Sequence, residues 1–282
     1  MELILKPKLD GKTVVITGGS GVLCREFAGH MAQCGAKIVI IGKTPDKDKA
    51  VVGEICRAGG EAIAVQADVT DKKSVKAAHE EVLSRYGKCD ILINGAGGNH
   101  PGATTDHEYY EDGDIDSDTK SFFNLDDEGV KFVFNLNFIG TLIPTQEFAG
   151  DMIGRRGCNI INISSMNAYT PLTKIPAYSG AKAAVSNFTR WLAVYFSREG
   201  IRVNAIAPGF FSTAQNRQLL WNEDGSPTVR TEKILNATPM SRFGEPHELL
   251  GALMFLVNDN ASSFVTGAVI PVDGGFSAYS GV

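Results

Sequence analysis

The feature that most constrains this chain lies near its amino terminus, where a short apolar run passes through a glycine-rich turn into a helical stretch. Residues 12–17 have the composition of a buried strand, GGSGVLC follows them, and the helical stretch REFAGHMAQCG ends at Gly35. A second apolar run, residues 37–41, predicts the returning strand of a βαβ unit. Small residues between a strand and a helix let the backbone approach a pyrophosphate at the helix amino terminus. The unit predicts a parallel sheet with a nucleotide site, although such a turn alone is a weak signal.

The same alternation continues along the chain. The sequence predicts further helices and strands at 46–58 (helix), 62–67 (strand), 72–86 (helix), 90–93 (strand), 159–163 (strand), 202–205 (strand), 248–257 (helix) and 268–272 (strand). This pattern predicts a single-domain, doubly wound Rossmann-type α/β fold over residues 1–282, with helices on both faces of a parallel sheet. Ligands of such sheets lie at the carboxyl ends of the strands. Turns begin there at Gly18, Asp68, Asn94 and Ser165.

Composition excludes several classes of partner. The 282 residues are 43% hydrophobic and carry a formal net charge of −5, which does not suit nucleic-acid binding. No apolar run approaches the ~20 residues that a membrane span requires. Five cysteines are scattered along the chain without the spacing of a zinc site or a disulfide framework. We therefore expect reduced thiols in a cytoplasmic protein, with no metal, nucleic-acid or membrane partner.

The end of the second predicted strand bears on cofactor preference. Dinucleotide folds often place an acid there, which holds the hydroxyls of the adenosine ribose. This chain instead has Gly42, which leaves space, and Lys43, which supplies a positive charge. A positive charge suits a 2′-phosphate, so we expect NAD(P) with a slight preference for NADP. The alternative is that Lys43 is only a solvated residue after a strand.

A serine, a tyrosine and a lysine in the second half of the chain have the chemistry of a hydride-transfer site. Tyr178 and Lys182 are four residues apart in a helical run, which places both on one face. Ser165 follows the apolar run 159–163, so a strand end and the next helix can bring the three side chains together. A nearby ammonium lowers the pKa of a tyrosine from about 10. The tyrosine then exchanges a proton with an oxygen that the serine holds, while a cofactor carries the hydride.

Taken alone, a tyrosine four residues before a lysine is better explained by an ordinary amphipathic helix. A further polar residue, Asn137, lies among apolar residues of a long helix predicted from residue 132 onwards. A buried amide is costly unless its groups are hydrogen-bonded. Asn137 is therefore expected to bend that helix, to order a water, or both.

Two segments interrupt the alternation. Residues 98–131 contain ten acids and two lysines and predict an irregular insertion, and residues 210–240 predict a second excursion on the substrate side. Within the insertion, residues 112–118 resemble the start of a calcium loop. That loop lacks its glycine and its final acid, where Ser117 and Phe123 stand, so a solvated acidic loop is favoured over a metal site. Asn99 and His100, at the front of the insertion, are expected to line the substrate pocket.

Several motifs in order resemble the short-chain dehydrogenase/reductase family over nearly the whole chain. They are ITGGSG, Asp68-Val69, NGAG, NxxG from Asn137, Ser165, YxxxK from Tyr178, PGxxxT from Pro208, and VDGG. The resemblance implies that Asn137 organises a proton-relay water around the lysine. It implies that Ser165 binds the substrate oxygen, Tyr178 is the acid/base, and Lys182 tunes Tyr178 and binds the cofactor ribose. It also implies a homotetramer.

The expected cofactor contacts follow from these motifs. They are Gly18, Ser20, Gly21, Leu23, Lys43, Asp68, Val69, Asn94, Ala96, Gly97, Tyr178, Lys182, Pro208, Gly209, Phe211 and Thr213. One departure concerns the glycine fingerprint TGxxxGxG of the family, because Val22 and Cys24 stand where its second and third glycines fall. We expect Cys24 to pack against the sheet rather than to act in redox chemistry.

The insertion, the glycine turn and the segment around Tyr178 resemble the D-mannonate oxidoreductase (fructuronate reductase) branch of that family. This implies interconversion of a keto-uronate and a hexonate, D-fructuronate and D-mannonate. Such an anionic sugar acid needs a cation, for which Lys174 and Arg217 are candidates. Asn167 is a candidate to bind a hydroxyl, beside Asn99 and Ser165. The carboxylates of the insertion are expected to face solvent or a neighbouring subunit.

Two other functions stay open at this point. One is another keto-sugar or polyol dehydrogenase, such as a gluconate 5-dehydrogenase, although the long insertion disfavours it. The other is a non-catalytic dinucleotide-binding sensor, which would not need an acid/base pair.

Overall fold

Parallel strands form one central sheet in the computed structural model, which describes residues 7–213 and 217–281. The strands are β1 (Thr13–Thr17), β2 (Lys37–Gly42), β3 (Glu61–Gln66), β4 (Ile91–Asn94), β5 (Asn159–Ile163), β6 (Arg202–Pro208) and β7 (Val269–Val272). Their order in the sheet is β3-β2-β1-β4-β5-β6-β7. The order reverses between β1 and β4, and a crevice for ligands opens at such a switch point. The predicted fold class is confirmed.

The helices cover both faces of this sheet. They are α1 (Val22–Gln33), α2 (Pro45–Arg57), α3 (Lys72–Tyr86), α4 (Asp127–Phe134), α5 (Gly140–Met152), α6 (Pro176–Tyr195), α7 (Arg217–Leu220), α8 (Val229–Ala237), α9 (Leu250–Val257) and α10 (Asp259–Ser262). Helices α1, α2 and α9 bury side chains such as Phe27 and Leu253 in the core on one face. Helices α3, α5 and α6 bury side chains such as Phe148 and Leu192 on the other. No described helix is long and apolar enough to cross a membrane.

The strand register aligns the residues that end the central strands. Thr17 of β1 pairs with Asn94 of β4, and Asn94 pairs with Asn162 of β5. The Asn94 amide nitrogen donates to Asn162 Oδ1 at 2.9 Å and to Thr145 Oγ1 at 2.9 Å. This buried polar network fixes the edge of the sheet from which the glycine turn and Ser165 emerge, because each member restrains its neighbours.

The helix predicted to start at residue 132 begins earlier and is not uniform. It starts at Asp127, which shortens the irregular insertion, because the Asp126 carboxylate caps the amide groups of Glu128 and Gly129. A π-helical turn, Asn135–Ile139, separates α4 from α5. Pro144 in α5 has no N–H to donate to the preceding turn, which loosens the helical ladder after the π-turn. Single π-helical turns between α-helical segments occur often at functional sites.

Candidate active site

Helix α6 presents Tyr178 and Lys182 one turn apart, as their spacing predicts. The Lys182 side chain is 4% exposed, and its Nζ lies 5.7 Å from the centroid of the Tyr178 ring. The ammonium donates to the Ile163 carbonyl at 2.9 Å, which ties the helix to the end of β5. The backbone at the end of β5 therefore fixes the position of the Lys182 ammonium.

Ser165 comes directly after β5 and completes the cluster. Its buried hydroxyl accepts from the Asn167 backbone amide at 3.2 Å, and its interaction with the Tyr178 hydroxyl partly offsets the increase that burial causes in the pKa of that tyrosine. The Asn167 side chain is also buried, and its Oδ1 has no hydrogen-bond partner among the described residues. A buried acceptor without a partner is costly unless a ligand or water satisfies it. The arrangement places a free acceptor beside the serine that is predicted to hold the substrate oxygen.

Asn137 lies in the π-turn and is fully buried. Its Nδ2 donates to the Gly98 carbonyl at 2.7 Å and to the Val133 carbonyl at 2.8 Å, while its Oδ1 accepts from the Gly98 amide at 3.2 Å. These bonds satisfy the amide and tie the helix to the start of the insertion. A methyl group on Gly97 would lie 2.7 Å from Asn137 Oδ1 and 3.0 Å from Lys182 Nζ, so the two polar groups flank one glycine. The relay role of Asn137 stays a prediction.

The electrostatics of the pair differ from the sequence expectation. Burial raises the pKa of Tyr178, and the hydrogen bond from Ser165 lowers it only in part. Burial also lowers the pKa of Lys182 to about 8. The lowering of the tyrosine pKa that the sequence predicts is therefore absent, because removal from water disfavours both charged forms.

The glycine turn fits a dinucleotide pyrophosphate. Gly18 has a φ of +63°, and a methyl group there would lie 2.9 Å from the Ala96 backbone, so only glycine is accommodated. The turn leads through Gly21 into the amino terminus of α1, whose N–H groups attract phosphate charge. Ser20 and Leu23 of this turn are half-buried.

Cys24 packs as expected. A methyl group on Gly95 would overlap its Sγ, so the thiol fills the space between α1 and the turn after β4. Burial raises the pKa of the Cys24 thiol to about 12. The reactive thiolate is therefore disfavoured, and a packing role fits the structure better than redox chemistry.

The other expected cofactor contacts lie at the ends of two parts of the sheet, after β3 and β4 and after β6. Ala96 and Gly97 follow β4 and leave backbone accessible beside the cluster, whereas the Asn94 side chain is engaged in the buried network. Val69 is buried and fits closely against Gly140. The contacts expected after β6 begin with Pro208, the last residue of that strand, and continue with Gly209, Phe211 and Thr213.

The Phe211 ring packs in the core, and a methyl group on Gly244 would lie 2.6 Å from it. Burial of an aromatic side chain is strongly favourable. The contact of Phe211 with the cofactor stays a prediction. Gly209 fits against Asp273, where a methyl group would lie 2.6 Å from the Asp273 Cα.

Lys43 does not extend as an unpaired cation. Its Nζ lies 2.7 Å from Asp68 Oδ2. Burial raises the pKa of Asp68, but hydrogen bonds from Lys43 and Thr70 outweigh it, so the pKa lies below its usual value. The carboxylate therefore balances the lysine charge on which the preference for NADP depends.

The predicted substrate residues are only partly brought together. Ser165 and Asn167 are adjacent at the cluster. Asn99 is exposed and donates to Thr104 Oγ1 at 3.1 Å. Arg217 is exposed at the start of α7 and lines a surface cavity with Ser212 and Thr213.

Lys174 has a structural role that the sequence did not reveal. Its Nζ donates to the Asp106 carbonyl at 2.7 Å, and its own carbonyl accepts from the Thr105 amide at 2.9 Å. Its φ is +69°, a conformation that such bonds must stabilise. Lys174 thus tethers the insertion to the loop before α6, and its contact with a substrate carboxylate stays a prediction.

The insertion is ordered by its own polar contacts. It contains short 3₁₀ turns at Pro101–Ala103, Asp114–Asp116 and Phe122–Asn124. Asp114 is buried and lies 3.0 Å from His107 Nδ1, and Glu108 pairs with Lys233 of α8 at 2.8 Å. Most of the other acids are exposed. No described group of three acidic, histidine or cysteine side chains is arranged to hold a metal ion.

Fold and cluster together define a dinucleotide-dependent oxidoreductase. The sequence matches the short chain dehydrogenase family over residues 12–224. The chain belongs to that family and is an NAD(P)-dependent oxidoreductase.

Three relatives illustrate the similarity. An uncharacterized oxidoreductase, UxuB, of Bacillus subtilis is 53% identical over 278 residues, 99% of each chain. A crystal structure with bound NAD from Haemophilus influenzae, provisionally described as a D-mannonate oxidoreductase, is 55% identical, covers 100% of both chains and has a TM-score of 0.94. A gluconate 5-dehydrogenase from Burkholderia cenocepacia, with NADP and tartrate, is 30% identical, with 98% of this chain and 99% of that chain covered and a TM-score of 0.80.

Proposed function

We propose that the protein interconverts D-fructuronate and D-mannonate, a ketone and a secondary alcohol on a six-carbon sugar acid. The observation that carries this proposal is the cluster of buried Ser165, buried Lys182 and half-buried Tyr178, with the unpartnered Asn167 Oδ1 beside it. The similarity to the H. influenzae protein over the full length of both chains, insertion included, supports the same substrate.

The cluster supplies the proton chemistry of the reaction. NAD(P), when bound, donates a hydride to the ketone carbon or accepts one from the alcohol carbon. In the reducing direction Ser165 holds the ketone oxygen, and the Tyr178 hydroxyl donates its proton to that oxygen, so ketone, hydride and proton give the alcohol. The Lys182 ammonium stabilises the phenolate that remains. Asn167 Oδ1 accepts a hydrogen bond from a substrate hydroxyl.

We propose NAD as the working cofactor, in place of the slight preference for NADP drawn from Lys43. The ion pair between Lys43 and Asp68 supports this choice, because the lysine charge is balanced within the chain. The NAD bound in the H. influenzae structure points in the same direction. We place the enzyme in the cytoplasm, and no two cysteines form a disulfide among the described residues.

The substrate assignment is tested by absorbance at 340 nm. Purified protein is mixed with NADH or NADPH and with D-fructuronate, 5-keto-D-gluconate or D-fructose. We expect NADH oxidation with D-fructuronate and at least a tenfold lower kcat/KM with the other two. D-Fructose is the matched control, because it is a ketose without a carboxylate. Faster turnover of 5-keto-D-gluconate would overturn the assignment in favour of the gluconate 5-dehydrogenase alternative, which the B. cenocepacia structure favours.

We also propose a homotetramer that covers the exposed aromatic face of α6. Trp191 is 56% exposed and Tyr195 65% exposed, and their rings stack with centroids 4.9 Å apart. A contiguous exposed apolar face of this kind commonly marks an interface. Light scattering after size-exclusion chromatography is expected to give four times the chain mass of 30.2 kDa. The mass of one chain would contradict the proposal.

A further inference from the structure

Asp48 is a buried acid that the catalytic cluster does not use. It lies in the first turns of α2, and its side chain is 1% exposed. Neither carboxylate oxygen has a hydrogen-bond partner among the described residues. Burying a carboxylate without hydrogen-bond partners is costly, so Asp48 is expected to have a role beyond the packing of α2.

Asp48 lies directly against the end of β2. A methyl group on Gly42 would overlap the Asp48 carboxylate and would lie 2.6 Å from its Oδ1. A side chain at position 42 and the Asp48 carboxylate therefore compete for one volume. Gly42 is required here because the acid of α2 fills the space beside it.

The end of β2 lies where dinucleotide folds bind the adenosine ribose. Dinucleotide folds hold the adenosine ribose with an acid at the end of the second strand, the position that Gly42 occupies in this chain. The glycine turn is next to it, because the Gly18 amide donates to the Ile41 carbonyl at 2.7 Å. Asp48, although it lies on α2, is therefore positioned to take the ribose-binding role of the acid that β2 lacks.

We propose that Asp48 accepts the hydrogen bond of the adenosine 2′-hydroxyl and thereby selects NAD over NADP. The inference rests on the proposed use of NAD and deepens it. A 2′-phosphate would meet a carboxylate of the same sign, and Lys43 is paired with Asp68. Both Asp48 oxygens are buried, so the proposal requires the turn after Gly42 to move when the ribose binds. Lys43 and Thr44 in that turn are exposed, and exposed turns open at low cost.

Calorimetric binding without any sugar tests the proposal. The ligands are NAD⁺, NADP⁺ and 2′-deoxy-NAD⁺, and the proteins are the wild type, Asp48→Asn, Asp48→Leu and Asp46→Asn. We expect the wild type to bind NAD⁺ about tenfold to a hundredfold more tightly than either analogue, as for a hydrogen bond to a charged group. Asp48→Leu is expected to bind NAD⁺ and 2′-deoxy-NAD⁺ equally, and Asp48→Asn to lose at least tenfold of its preference for NAD⁺ over NADP⁺. Asp46→Asn, an exposed acid of the same helix, is the matched control and is expected to match the wild type.

The possible failures are distinguishable. A wild type that prefers NADP⁺ overturns both the NAD proposal and the role of Asp48. A wild type that prefers NAD⁺, with Asp48→Asn weakening NAD⁺ and NADP⁺ equally, overturns the role of Asp48 alone. Circular dichroism checks folding, and the isosteric Asp48→Asn carries the test if Asp48→Leu does not fold. The identity of the sugar substrate does not enter these measurements.

Discussion

Tyr178→Phe is expected to lower kcat by about 10²- to 10⁴-fold, the range that one general acid contributes. The phenol donates the proton to the substrate oxygen, and phenylalanine keeps the ring but has no proton to give. The dissociation constant for NADH is expected to change less than about twofold, because only the Tyr178 hydroxyl is lost among the many expected cofactor contacts, and the glycine turn and the end of β2 are untouched. Stopped-flow absorbance at 340 nm measures turnover, and calorimetry measures cofactor binding.

Tyr279→Phe is the matched control for this substitution. Tyr279 lies near the carboxyl end of the chain and is 50% exposed, so loss of its hydroxyl is expected to leave kcat unchanged. If Tyr178→Phe lost turnover and NADH binding to the same extent, the acid/base role would be contradicted. Full turnover in Tyr178→Phe would contradict it as well.

Lys182→Met is expected to lower kcat at pH 7 by roughly 100-fold. The ammonium lies 5.7 Å from the centroid of the Tyr178 ring. A positive charge at about that distance favours a phenolate by up to about 3 kcal/mol at an effective dielectric constant of about 20, and the burial of Tyr178 opposes this effect. Methionine fills a similar volume without that charge. The loss is measured as kcat for ketone reduction with saturating NADH.

The pH profile of the same pair gives a second readout. Burial lowers the pKa of Lys182 to about 8, so the side chain is charged below that pH and neutral above it. In the wild type, kcat/KM for reduction is therefore expected to fall as the pH rises through about 8, because this parameter reports the free enzyme. In Lys182→Met, kcat/KM is expected to show no such decrease between pH 6 and 9.5. A decrease at the same pH in the variant would assign the titration to another group.

Local patterns made the fold predictable. Short apolar runs mark the buried strands of a parallel sheet, and the glycines after the first run mark the turn into α1. Four-residue spacing placed Tyr178 and Lys182 on one face of α6, and the apolar run before Ser165 placed it at a strand end. These relations act within one or two neighbouring elements, so the residue order alone carries them.

Contacts between distant segments were not predictable in the same way. Asn137 is bonded to Gly98, 39 residues away, and Lys174 to Asp106, 68 residues away. The sequence showed that each is a polar residue near the site. It did not show to which backbone group each would be hydrogen-bonded. The motif around Pro208 likewise did not show that the Phe211 ring packs in the core.

The sequence by itself determined the parallel α/β sheet, the glycine turn and the set of residues that can exchange a proton and bind a dinucleotide. Their periodicities of two and about 3.6 residues are fixed by backbone geometry. Only the tertiary structure decided that Lys43 pairs with Asp68, that burial lowers the pKa of Lys182, and that Asp48 fills the space beside Gly42. Each of these depends on how close two elements approach and how much water they exclude, and neither quantity is encoded in the spacing of residues along one element.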